Sequence, residues 1–409
     1  MVPDPGRRST GVVNGRTDPA SQTRHQKSLS RSPTATVAMI GAGQLARMTH
    51  QAAVDLDIEL RVLAKSPDDS AVGSGAPYRL GSAASLVDLE AVAVGADVVT
   101  FDHELVPATH LVKLQQLGYR LRPGPPALRL AQDKLKARQL LSAAGFPTPV
   151  FAPIASLADV AGFAERHRWP VVVKSQRGGY DGRGVHVIDN PDQLAGILGG
   201  NPREGPVWLV EQFVDIAAEL SILIARTSTG HVALYPAVQT TQRAGICTHL
   251  VMPAPLPSHI LEQAARMAKS IADGIDATGM LAVEMFLTTS GQLLVNELAL
   301  RPHNSGHATI EACVTSQFHQ HLRAILDWPL GCTDLRVPAA AMVNLIGTEF
   351  GPDPHDGLLR ALAVPGVAVH LYGKTPRVGR KVGHITAVGA TTDDALERAS
   401  RAADRFTLE

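Results

Sequence analysis

Apolar residues along this chain recur in two rhythms, as short continuous runs and at helical intervals, and the two alternate. Thr36–Ile40 (TVAMI) reads as a buried strand, and Gln44–Leu56 then carries Leu45, Met48 and Ala52 at helical spacing. Glu59–Ala64 predicts a second strand, Leu86–Val94 a helix, Asp97–Phe101 a strand and Ala108–Leu117 a helix. Strands alternating with helices predict an α/β fold with a parallel sheet covered by helices. Leu128–Ala144 predicts a helix ended by Gly145, with Pro147 and Pro149 beyond, and so a first boundary.

Past that boundary the strand signals predominate. Val171–Ser175, Val185–Ile188, Val207–Gln212, Glu219–Ala225 and His231–Tyr235 read as strands, and Leu261–Ala272 as a helix. Met280–Thr288 and Gln292–Leu298 read as a hairpin about Ser290-Gly291, followed by a helix over Ser316–Leu326. Ala339–Ile346 and Val367–Leu371 are strands again, and a helix ends the chain. The pattern divides into pieces at 36–127, 128–328 and 329–409, after a segment over 1–35. At roughly 100–200 residues per domain, 409 residues fit that division.

Residues 1–35 carry Arg7, Arg8, Arg16, Arg24, Lys27 and Arg31 against Asp4 and Asp18, among Ser, Thr, Pro and Gly. Without an apolar run this is no secretory signal and reads as a disordered tail. Cys247, Cys313 and Cys332 stand far apart, so neither a zinc pair nor a disulfide framework is expected, which suits the cytoplasm. A formal net charge of +0 gives no reason to expect nucleic acid, and no apolar stretch is long enough for a membrane span.

Chemistry concentrates in a few segments. Gly41-Ala42-Gly43, between strand and helix, is either a tight turn or a site for an anion at a helix N-terminus. Nicotinamide binding is disfavoured, because Lys65 stands where an acid would hold the ribose. Lys174 precedes a loop with Gly178, Gly179, Tyr180, Asp181, Gly182, Arg183 and Gly184, whose backbone N–H groups can wrap phosphates. Glu211-Gln212-Phe213-Val214, with Glu219 beyond, can hold a nucleoside, although a structural role is as compatible with those residues. Glu284 and Glu297 stand in apolar strands (LAVEMF, LLVNEL), where unpaired carboxylates are costly. Mg2+ between them, with Asn296 beside it, answers that cost, and a salt bridge to Arg301 is the alternative. Lys374, Arg377, Arg380 and Lys381, with Gly379 and Gly383, suit a phosphate.

GAGQLARM, KSQRGGYDGRG, VEQFVDIAAELS, VNELALRPHNSGH and GRKVGH, in that order, resemble the N5-carboxyaminoimidazole ribonucleotide synthetase family. The resemblance implies an ATP-grasp fold: an N-terminal pre-ATP-grasp parallel-sheet domain, a two-lobed central ATP-binding domain and a small C-terminal domain. It implies ATP as co-substrate and Mg2+, or Mn2+, as the metal, on Glu284 and Glu297. It places Lys134, Lys174, Gly179–Val185, Glu211, Gln212, Phe213, Val214, Glu219, Gln242, Asn296 and Glu297 around the nucleotide. It places Tyr180, Asp181, Arg183, His303, Asn304, Ser305, Lys374, Arg380 and Lys381 around the ribonucleotide and bicarbonate, with Glu104 facing the same cleft. The implied reaction makes carboxyphosphate from ATP and bicarbonate and passes the carboxyl group to an amine. Arg183, His303, Glu104 and Asp181 are its candidate catalytic residues. A homodimer is implied as well. Leu300, Val378 and Ala244 depart from the family pattern, which has Pro, Pro and Asp there. The competing readings are another ATP-grasp ligase, such as a formate-dependent glycinamide ribonucleotide transformylase, and a nucleotide-binding regulator without catalysis.

Overall fold

The computed structural model describes residues 33–178, 182, 184–197, 207–347 and 354–407. The tail over 1–32 and the loop residues Gly179, Tyr180, Asp181 and Arg183 lie outside the described residues. The first piece runs β1 (Ala35–Ile40), α1 (Gln44–Asp55), β2 (Ile58–Ala64), β3 (Tyr78–Leu80), α2 (Leu86–Ala93), β4 (Val98–Phe101) and α3 (Ala108–Gln116). Its four strands form a parallel sheet in the order β3-β2-β1-β4. Val37 to Ile40 are all 0% exposed, as a strand covered on both faces requires. β1 starts one residue ahead of the expected Thr36, because Thr34 already donates its N–H to Asp57 O at 2.9 Å.

Two helices follow, α4 (Pro125–Gln132) and α5 (Lys134–Ala143), where the periodicity predicts one. Asp133 leaves the helical region (φ −136°, ψ 98°) and its carboxylate caps α5 by accepting the Lys136 N–H at 3.1 Å. The same carboxylate accepts Gln176 Nε2 at 2.7 Å, which holds the break from far along the chain.

A small lobe comes next: β5 (Phe151–Ile154), α6 (Leu157–His167), β6 (Val171–Ser175), β7 (Val185–Ile188), α7 (Pro191–Ile197) and β8 (Trp208–Gln212). Its antiparallel sheet has the order β5-β8-β6-β7, and Val160, Phe163, Val173, Ile188 and Val210 make a core of its own. α6 starts on a capping box between Ser156 and Asp159.

The rest surrounds one large sheet. Its strands and helices are β9 (Ile216–Arg226), β10 (Val232–Leu234), β11 (Val238–Arg243), β12 (Ile246–Met252), α8 (Ser258–Gly274), β13 (Gly279–Thr288), β14 (Leu293–Ala299), α9 (Thr309–Ala312) and α10 (Gln317–Ile325). β15 (Ala339–Ile346), α11 (Pro354–Leu362), β16 (Val367–Leu371), β17 (Lys381–Gly389) and α12 (Thr392–Thr407) complete it. The order is β14-β13-β9-β11-β12-β15-β17-β16, with β10 on β9. Strands of the last piece thus continue the central sheet, joined where β12 pairs with β15. Phe318, Leu322 and Ile325 of α10 pack with Val37, Met39 and Leu45, which fixes the first sheet against the central one.

Candidate active site

The β13–β14 hairpin sets Glu284 directly opposite Glu297, and a bulge between Glu284 and Met285 re-aims the strand there. Glu219 lies on the neighbouring strand β9, opposite Phe286. The two hairpin carboxylates line a cleft enclosed by protein: Glu284 is 25% and Glu297 43% exposed as side chains. Burial, then the charges of Glu297 and Glu219, push Glu284 up to about 8. Burial also acts on Glu297, but Lys134, Lys174 and Arg138 together outweigh it and hold that carboxyl below its usual range. The alternative salt bridge to Arg301 is not formed; Lys134 Nζ donates to Glu297 Oε1 at 2.7 Å instead.

Cations reach this pair from two sides. Lys134 and Arg138 project from one face of α5, four residues apart. Lys174 Nζ, from β6, lies 3.2 Å from Asn296 Oδ1 and 2.6 Å from Glu211 Oε2. Arg138 Nε donates to Glu211 Oε1 at 2.7 Å, so Glu211, 2% exposed, is engaged from both ends inside the protein. Burial, with the charge of Arg138, lowers the Lys174 ammonium more than Glu211 and Glu297 raise it. Arg138 and Asp133 are the residues that sequence reasoning missed. For Arg138 the i,i+4 spacing from Lys134 was the available signal.

The far wall comes from the segment after β14. Arg301 Nε donates to Glu104 Oε2 at 3.0 Å, bringing the first piece to the cleft. His303 Nε2 stands 3.5 Å from Glu284 Oε1, and His303 Nδ1 lies 2.8 Å from Ser305 Oγ. Burial, helped by Arg301 and Lys381, pushes the His303 imidazole down to about 3, so the ring is neutral. Asn304 and Asn344 exchange amide hydrogen bonds at 3.0 and 2.9 Å. Lys381 is buried near Glu284 and His303, where its charge favours the ionised carboxylate and the neutral ring.

The basic loop does not gather its charges at one point. Lys374 Nζ donates to Gln44 Oε1 at the start of α1, whereas Arg380 Nη1 donates to Thr375 O at 3.1 Å within the loop. At the first glycine turn the Gly43 N–H donates to Asp102 Oδ2 at 2.6 Å, so the chain supplies a carboxylate of its own there. Burial raises Asp102, partly offset by His103 and the Gly43 N–H.

At the end of the small lobe's sheet, Gln212 ends β8, Phe213 is 40% exposed just beyond it, and Val214 is half-buried. Glu219 is hydrogen-bonded to Gln242, and burial still raises its pKa. Gly182 (φ +75°) and Gly245 (φ +77°) meet backbone to backbone, leaving no room for a Cβ on either. Gly182 thus rests on the turn between β11 and β12, the turn where Ala244 takes φ +50°. Gly184 O accepts the Ser175 N–H at 2.7 Å, and Val185 follows at the lobe's edge, 37% exposed.

A small antiparallel lobe and a large sheet that deliver lysines and carboxylates to one cleft define a ligase of the ATP-grasp class, and the ATP-grasp domain family matches residues 139–318. The ribonucleotide synthetase preATP-grasp domain matches residues 34–132, and the phosphoribosylaminoimidazole carboxylase C-terminal domain residues 340–398. The chain is 48% identical over 384 residues to the N5-carboxyaminoimidazole ribonucleotide synthase of Mycobacterium tuberculosis, covering 91% of this chain and 90% of that one. It is similar to the crystal structure of the Thermotoga maritima synthetase (35% identity, TM-score 0.81, 90% of this chain and 98% of that one). It is likewise similar to the Aspergillus clavatus synthase in complex with ADP and 5-aminoimidazole ribonucleotide (30% identity, TM-score 0.84, 92% and 99%). The chain belongs to the N5-carboxyaminoimidazole ribonucleotide synthase family.

Proposed function

We propose that this protein carboxylates the exocyclic amine of 5-aminoimidazole ribonucleotide with ATP and bicarbonate, in purine biosynthesis. The observation that carries the reading is Glu284 facing Glu297 in a cleft with Lys134 and Lys174 on one side and Arg301 and His303 on the other. Burial, with the charges of Glu297 and Glu219 beside it, holds Glu284 at about 8 in the absence of a cation. That donor set, with Asn296 beside it, fits Mg2+ completed by phosphate oxygens, and Mn2+ suits the same oxygens. When bound, the cation neutralises charge on the transferring phosphoryl group.

The side chains divide the work. Lys174 and Lys134 place positive charge beside the β- and γ-phosphates, and the loop Gly179–Val185 wraps them. The backbone of Glu211–Val214 takes the adenine edge, and Glu219 with Gln242 the ribose. Arg183 and the neutral His303 orient bicarbonate, whose oxygen bonds to the γ-phosphorus as the bond to ADP breaks. The amine nitrogen then bonds to the carbon of carboxyphosphate as phosphate leaves with the electron pair of the C–O bond. Glu104 is engaged by Arg301, so it positions the ribonucleotide, and Asp181 takes the amine proton. Tyr180, Asn304, Ser305 and the Lys374–Lys381 loop, Arg380 included, seat the ribonucleotide. We place the enzyme in the cytoplasm as a homodimer; a monomer by light scattering would remove the dimer.

The test is ADP release. It should require Mg2+ and rise when ribonucleotide and bicarbonate are both present, and Glu297→Gln should abolish it while the melting temperature is kept. Turnover indifferent to the ribonucleotide would overturn the reading. Support by formate in place of bicarbonate would shift it to the formate-dependent ligases.

A further inference from the structure

Three imidazoles lie outside every step above. His307 and His384 are fully buried, with ring centroids 4.8 Å apart. His370 stacks on His384 at 4.5 Å and 14°. At the inner end Gln317 Nε2 donates to His303 O at 2.8 Å and lies 3.2 Å from His307 Nδ1. In the middle, Tyr372 OH lies 2.7 Å from His384 Nδ1, and Lys374 Nζ sits 5.5 Å from the Tyr372 ring centroid. At the outer end His370 Nε2 pairs with Glu311 Oε1 at 2.7 Å.

The strand that carries His384 also carries Lys381. Between Leu345/Ile346 and their partners Gly383/Lys381 the ladder slips by one residue. The slip brings Lys381 onto the face of His384, which is why the Lys381 charge is felt at both His303 and His307. Burial holds His307 and His384 well below the ordinary imidazole range, so the rings stack uncharged. Among the described residues, Nε2 of His307 and Nε2 of His384 have no hydrogen-bond partner.

We propose that the His307–His384–His370 stack is a positioning device that ties the Lys374–Lys381 loop to the His303 segment, so that both walls of the ribonucleotide site keep one register. This rests on the ribonucleotide reading above. His384→Ala should raise the KM for 5-aminoimidazole ribonucleotide by about tenfold or more, with the KM for ATP within about twofold and kcat within about threefold. The double variant His384→Phe/Tyr372→Phe keeps the rings and removes both polar partners, and should restore the ribonucleotide KM to within about threefold of the parent. Should His384→Ala not fold, His370→Ala at the more open end should fold and raise the same KM about threefold. A folded alanine variant with an unchanged ribonucleotide KM, or with both KM values raised together, would overturn the proposal, as would a double phenylalanine variant as impaired as His384→Ala. A parent enzyme indifferent to the ribonucleotide would overturn the functional reading and this inference with it. A responsive parent with unresponsive variants would overturn the stack alone.

Discussion

Glu211 stands at the end of β8 between Arg138 Nε at 2.7 Å and Lys174 Nζ at 2.6 Å. Burial alone would raise its pKa, but the two cations reverse that and bring it down to about 2. Removing the carboxylate leaves two buried cations uncompensated, and breaking such a pair costs about 3–5 kcal/mol. Glu211→Gln should therefore lower the melting temperature by several degrees and raise the KM for ATP, because Lys174 loses the partner that aims it. A change under about 2 °C would show that solvent compensates the cations. The sign of the pH dependence follows from the depressed pKa. The stabilisation is complete above the ordinary carboxyl value of about 4.5 and is lost as pH falls through about 2. The gap in melting temperature between parent and variant should thus narrow as the solution is acidified from about pH 5 toward 3. The sequence showed Glu211 as an acid at a strand end, but its partner Arg138 lies 73 residues earlier, and no local pattern reports that pairing.

The segment joining β16 to β17 reads in sequence as one basic loop, and in three dimensions its charges part. Lys374 turns to Gln44 at the head of α1, and Lys381 to the side of Glu284 and His303. On the proposed reading, Lys374 would then take the 5′-phosphate of the ribonucleotide and Lys381 its reacting end. Lys374→Met should raise the ribonucleotide KM by about tenfold, equivalent to about 1.4 kcal/mol, and largely abolish the preference over the dephosphorylated nucleoside. Lys381→Met should keep that preference and lower kcat instead. Steady-state assays on both substrates separate the two, and a preference lost with Lys381 alone would reverse the assignment. Elements differ in how plainly they are written. The β13–β14 hairpin was legible because LAVEMF and LLVNEL flank Ser290-Gly291. β11 and β12 were not, since Val238–Arg243 (VQTTQR) is largely polar and its burial alternates only through its neighbours. The break at Asp133 was hidden because the helical spacing runs on through it, and Gln176 holds it from outside the helices.

For the molecule as a whole, the hydrophobic pattern separates strands from helices along the chain but could not tell which strands would share a sheet. β15, β17 and β16 join the central sheet through β12, a pairing between strands some ninety residues apart that no turn dictates. The first sheet is bound to the central one by apolar packing of α10 and by Thr100 Oγ1 at 2.8 Å from His321 Nε2. The small lobe is attached differently. Its core, around Phe163 and Val173, is a cluster apart from the others, and its links to the rest include polar ones, Asp133 to Gln176 and Arg138 to Glu211, and the backbone contact of Gly182 with Gly245. A unit with its own core and few apolar ties opens at lower free energy than one sharing the main core. Amides of β5, β6 and β8 should therefore exchange with deuterium faster than those of β9 and β13 in the free enzyme. On the proposed reading, Lys174 of the lobe and the Glu284–Glu297 hairpin would both engage ADP with Mg2+, so the nucleotide should slow exchange in the lobe by about tenfold or more and leave β13 nearly unchanged. Equal exchange in the lobe and β13 without nucleotide would mean that the polar links close the cleft permanently. Protection spread evenly over the chain would mean that nucleotide acts on global stability and not on a moving lobe.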